Sequence, residues 1–213
     1  IAASALSRLT TLPRQYLEEV RSLDFYQTLS RIPEQFTQGA PISHRLLVDG
    51  HFMNPGYFYR LQLFRAALGS QLGSELGFVW RHNTGHCMRA LKTMGVTKVR
   101  NFFDGPNPRM LRDARRLSKL VRSADDILAL PFPHGIPASF LYDDILKRQR
   151  AATVNIDAPF VERYIWEFLS SIRAAEDLLD SHNPDMVAMS HSITIQCAPL
   201  SWLAAQRGIP VVT

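Results

Sequence analysis

At 213 residues, with 46% hydrophobic and 20% charged side chains, the chain is large enough for one well-buried core and too short for two full α/β domains. This composition excludes a disordered chain, and no run approaches the roughly 18 uninterrupted apolar residues of a membrane span. The net charge of +5 is concentrated: Arg109, Arg112, Arg115, Arg116, Lys119 and Arg122 surround a single Asp113, and this one segment accounts for the excess of the whole chain.

Residues 1–40 read as an N-terminal helical arm. Leu12, Tyr16, Leu17, Val20 and Leu23 share one helical face, with Arg14, Glu18, Glu19 and Arg21 mostly off it. A second short helix is expected over Phe25–Ile32, stopped by Pro33, with a loop over Thr37–Pro41. The opening charges and the lack of an apolar h-region argue against a secretory signal. Cys87 and Cys197, 110 positions apart, form no CxxC pair, so a reduced cytoplasmic chain is the simpler expectation.

Residues 41–213 read as a Rossmann-like domain. Arg45–Asp49, centred on Leu46, Leu47 and Val48, is the first strand, with the short apolar run of a strand buried on both faces. After Gly50 and the turn Asn54–Pro55–Gly56 comes a helix with Phe58, Leu61, Phe64, Arg65 and Leu68 at helical spacing. Leu76–Trp80 is the next strand and His86–Met94 the next helix, closed by Gly95 in a left-handed cap. Val99–Phe103 is the third strand. Pro108–Arg122 is a helix whose buried side carries Met110, Leu111, Ala114, Leu117, Leu120 and Val121. Its cationic stripe could meet phosphates, an anionic membrane or an acidic glycan, but a solvated helix face is the simpler reading. The stripe holds no aromatic for base stacking, so nucleic acid is not an expected partner.

Leu128–Ile156, with Pro131, Pro133, Gly135 and Pro137, shows no period and is expected to be a long irregular connection. Regularity returns with a helix over Phe160–Ser181, a strand over Asp185–Ser190, a helix over Thr194–Arg207 stopped by Gly208, and a strand beginning at Ile209. Strands alternating with helices predict a mainly parallel sheet of about five strands, order 3-2-1-4-5, with Arg45–Asp49 central and helices on both faces. A chain that starts at Ile1 and closes on a fresh strand is expected to be part of a longer protein.

In such sheets ligands bind beyond the carboxyl ends of the strands. That rule selects Asp49–Asn54, Asp104–Pro106 and Ser190–Ser192. His191 could accept a proton from a hydroxyl, and Asp143 or Asp144 could serve as an acid or base. Against this stand the ordinary readings: Ser190 or Ser192 as a helix cap, and Asp49 and Asn54 as turn residues. No GxGxxG, Walker or GxSxG motif is present, so no nucleotide cofactor is expected. His82, His86 and Cys87 match no usual zinc spacing, and no metal is expected.

Three segments carry a resemblance. Leu47–Leu68 (LVDGHFMNPGYFYRLQLFRAAL) resembles the first strand and helix of bacterial capsule and surface-polysaccharide biosynthesis proteins. His134–Pro137 (HGIP) and Leu141–Arg148 (LYDDILKR) are similar to a loop of that family. Pro184–His191 (PDMVAMSH) and Leu203–Val212 (LAAQRGIPVV) are similar to its strand–helix–strand segment, a pattern shared broadly among GT-B glycosyltransferases. The resemblance implies the N-terminal, acceptor-side half of a two-domain, metal-independent enzyme. A sugar or glycolipid acceptor would bind here, and the nucleotide-sugar donor mainly in a C-terminal domain lying beyond these residues. Carried onto this sequence, it implies catalytic roles for His191 and Asp143, and substrate-binding roles for Asp49, Asn54, Tyr142 and Ser190. The competing expectations are a non-catalytic assembly module docking on a membrane or partner through Arg109–Arg122, and a stand-alone small-molecule enzyme.

Overall fold

The computed structural model describes residues 23–31, 44–51, 54–68, 72–80, 84–103, 107–156 and 160–213. Five strands, β1 (His44–Asp49), β2 (Leu72–Trp80), β3 (Val99–Phe103), β4 (Met186–Ala188) and β5 (Val211–Val212), form one parallel sheet in the order β3-β2-β1-β4-β5. Eight α-helices accompany them among the described residues: α1 (Leu23–Arg31), α2 (Pro55–Leu68), α3 (Thr84–Thr93), α4 (Leu111–Ser118), α5 (Ala124–Leu128), α6 (Ser139–Gln149), α7 (Val161–His182) and α8 (Ala198–Gln206). This is the Rossmann-like arrangement and strand order expected from the alternation of strands and helices. None of the described helices is long and apolar enough to cross a membrane. The chain gathers into two compact units, Ile1–Arg100 and Asn101–Thr213.

In the first unit, β1 pairs with β2 in parallel register, Leu47 opposite Leu76 and Asp49 opposite Phe78. Leu46, Leu47 and Val48 are wholly buried, as their unbroken apolar run requires. Helix α1 packs on α2 and α3 through Phe25, Tyr26 and Leu29. It covers nearly the span expected for the arm's second helix, whereas the arm's first helix and the Thr37–Pro41 loop lie outside the described residues. Gly77 seats α3 against β2: a Cβ there would stand 2.8 Å from Leu91 Cδ1 and 3.2 Å from Val99 Cγ2. Gly95, at φ +90°, ends α3 with the left-handed geometry expected of it.

Arg65 is buried on α2 because its charge is met on every side. It makes a bidentate pair with Glu75 of β2, Nη2 donating to Oε2 at 2.6 Å, and its Nη1 donates to Gln62 and to the carbonyl of Met94.

In the second unit, the 22-residue helix α7 buries Ile165, Phe168, Leu169, Ile172, Ala175 and Leu179. Helices α4, α6 and α8 pack against it. β4 pairs with β5 in parallel, Val187 opposite Val211. Two expectations need correcting here. The stretch from Pro108 to Arg122 is a 3-10 turn (Pro108–Met110) followed by α4, and the chain then re-forms a helix at α5. Ser123 starts α5 with a capping box, its hydroxyl accepting from Asp126 N–H while the Asp126 carboxylate accepts from Ser123 N–H at 2.8 Å. Nor is Leu128–Ile156 irregular throughout, since it contains a 3-10 turn at Pro133–Gly135 and the whole of α6. The prolines that hid α6 all precede its first residue, where they do not interrupt helical hydrogen bonds.

Candidate functional site

In the first unit, the turn after β1 is built around Asp49. Its Oδ1 accepts the backbone N–H of His51 at 2.6 Å and stands 3.1 Å from His51 Nδ1, while its carbonyl accepts the Tyr57 hydroxyl at 2.9 Å. Gly50 between them is required by close approach, because a Cβ would meet Leu91 Cδ1 at 2.7 Å and Val79 Cγ1 at 2.8 Å. The His51 ring lies edge-on to Phe78, and Asp49 and His51 are 0% and 1% exposed. As placed, the Asp49 carboxylate orders the turn from inside. Asn54 is exposed and caps α2, its Oδ1 and carbonyl both accepting the Tyr57 N–H.

Cys87, near the start of α3, is fully buried and forms no disulfide among the described residues. Burial pushes its thiol up, and the Asp49 charge pushes it further. A thiol held protonated is neither a nucleophile nor a ready metal ligand. Among the described residues no group of three or more His, Cys, Asp or Glu side chains could hold a metal ion; His82 lies outside them.

In the second unit, Ser190 and His191 stand just past the carboxyl end of β4, both half-buried, with Ser190 Oγ 3.0 Å from His191 Nδ1. Helix α8 starts seven residues after His191, and its N-cap is Cys197 with no side-chain hydrogen bond. The serines therefore do not cap it. The loop between is held at several points. Ile195 O accepts the Ser171 hydroxyl at 2.7 Å, Ser192 O accepts the Ser201 hydroxyl at 3.3 Å, and the Ile195 N–H donates to the Asp144 carboxylate.

Tyr142, Asp143 and Asp144 lie on α6 rather than in a loop. Tyr142 is half-buried and Asp143 exposed, whereas Asp144 is buried and pairs with Arg148 one turn on, at 2.6 Å. Arg148 also reaches Glu167 at 2.6 Å, and Glu167 reaches Arg163 at 3.0 Å. Burial pushes the Asp144 carboxyl up; Arg148 and the Ile195 N–H pull it back without cancelling the rise. Asp144 thus ties α6 to the loop that follows Ser190 and His191.

The segment before α6 is fixed as well. His134, at φ +58°, accepts hydrogen bonds on its carbonyl from Trp202 Nε1 at 3.2 Å and Gln206 Nε2 at 2.9 Å, and its ring pairs with Glu176 of α7. Phe140 meets Trp202 edge-on.

The expected residues thus fall into two groups: Asp49 with Asn54 in the first unit, and Ser190 with His191, beside the helix carrying Tyr142 and Asp143, in the second. Asp104–Pro106 lies outside the described residues. Sequence reasoning underrated Asp144, Arg148 and His51. The i,i+4 spacing of Asp144 and Arg148 signals an ion pair once α6 is recognised as a helix.

No protein-family model, curated protein or solved structure matches the chain.

Proposed function

We propose that this chain is the N-terminal, acceptor-binding part of a glycosyltransferase that moves a sugar from a nucleotide-sugar donor in surface-polysaccharide biosynthesis. One observation carries the reading: Ser190 and His191 stand at the carboxyl end of a parallel strand, in a pinned loop, and do not cap the following helix. When Nδ1 carries the proton and donates it to Ser190 Oγ, Nε2 presents the lone pair a general base needs. The acceptor hydroxyl then gives its proton to the imidazole as its oxygen bonds to the anomeric carbon, and the nucleotide leaves with the electrons of the broken bond. Tyr142 supplies an aromatic surface for a sugar ring, and Asp143, exposed on the same helix, a second proton-transfer group. Asp144 is a positioning residue that holds the loop. The resemblance of Leu47–Leu68, Leu141–Arg148 and Pro184–Val212 to capsule biosynthesis proteins supplies the substrate class.

In the full-length protein, His191→Ala and Asp143→Asn are each expected to lower sugar transfer at least about a hundredfold, the smaller end of a lost general acid–base. Circular dichroism should be unchanged for Asp143→Asn, whose side chain is exposed. Unchanged transfer in both variants would remove the assignment.

A further inference from the structure

Helix α4 and the turns around it present the chain's whole charge excess on one short segment. Arg109, Arg112, Arg115, Arg116, Lys119 and Arg122 are all exposed, while Ala114 and Leu117 are buried on the opposite side. Arg115 pairs with Glu162 at 3.3 Å and Arg116 with Asp113 at 3.7 Å, and Arg122 lies beside the Asp126 carboxylate, to which its backbone N–H donates at 2.7 Å. Among the described residues no ion pair forms on Arg109, Arg112 or Lys119.

A solvated basic face explains the cations but not an exposed leucine. Helical spacing puts Leu120 on the buried side, yet α4 ends at Ser118 and the chain turns, leaving Leu120 54% exposed between Lys119 and Arg122. A large apolar side chain such as Leu120, standing in water beside Lys119, is what an anionic bilayer surface complements: headgroups meet the cations and the interfacial region takes the leucine. Nucleic acid would favour aromatics at those places, and the segment has none.

We infer that the Arg109–Arg122 face docks this protein peripherally on an anionic lipid bilayer, with Leu120 as its apolar anchor. This holds whether or not the glycosyltransferase reading does, since it uses none of the same residues.

The test is co-sedimentation of the full chain with vesicles of neutral phosphatidylcholine alone, or with about one-third phosphatidylserine added. Binding should be at least about tenfold tighter to the anionic vesicles and should weaken steeply with salt. Arg112→Gln combined with Lys119→Gln should weaken it about tenfold or more. Leu120→Ser should weaken binding while leaving its salt dependence in place. All three side chains are exposed, so the variants are expected to keep the wild-type circular dichroism spectrum. Equal binding to both vesicle types, variants that bind like the wild type, or binding to a duplex oligonucleotide without binding to vesicles would each overturn the inference.

Discussion

Arg65 shows how a single charge can be built into a core. Its face on α2 is readable from helical spacing, but its partners, Glu75 on β2 and the carbonyl of Met94, come from elements that only the fold brings near. Removing one member of a buried pair strands the other, so Arg65→Leu is expected to lower stability by about 3–5 kcal/mol. The double variant with Glu75→Leu should recover part of that loss, and denaturant unfolding of the cycle measures the coupling. Asp144 illustrates the limit of sequence at this scale. Two adjacent carboxylates look alike in a string, and burial makes them differ: Asp143 is solvated, while Asp144 is enclosed and tied to Arg148 and Ile195. Because burial raises the folded carboxyl of Asp144, the folded state binds that proton more tightly than the unfolded chain, whose aspartates titrate at about 3.9. Its contribution to stability is therefore fully present below that value and is lost as pH rises through the higher folded value. Asp144→Asn removes this term, so the stability difference between wild type and variant should shift in the variant's favour as pH rises through that window. A difference that stays constant there would contradict the direction.

At the scale of elements, periodicity was informative wherever one face is buried. β1 and β3 stand within a residue of their expected bounds because apolar runs follow burial, while α2 begins at Pro55, inside the expected turn. The misses are equally physical. The proline cluster before α6 looks like a break in order, but it sits outside the helix and, with His134, is clamped to α7 and α8. The start of α8 was expected at Thr194 and lies at Ala198, because Ile195 spends its backbone groups on Ser171 and Asp144. Gly77 makes room for Leu91 of α3, and a methyl group there would force Leu91, Val96 or Val99 to shift. Gly77→Ala is expected to lower stability by about 1–3 kcal/mol, the usual cost of overpacking a core, and a thermal melt of wild-type stability would contradict it.

For the whole molecule, strand order was legible because alternating strands and helices, joined by right-handed crossovers, leave few parallel topologies. The candidate site was legible only as places. Strand ends pointed to Ser190 and His191 and to the Asp49 turn, but not to the burial of Asp49 or to the way Asp144 steadies the loop. The central claim is that this chain handles the acceptor, and steady-state kinetics of the full-length protein with Tyr142→Ala test it most directly. Losing the aromatic surface should raise the KM for the sugar or glycolipid acceptor about tenfold, roughly 1.4 kcal/mol, and leave the KM for the nucleotide-sugar donor unchanged. A variant whose donor KM rises while its acceptor KM stays at the wild-type value would contradict the account.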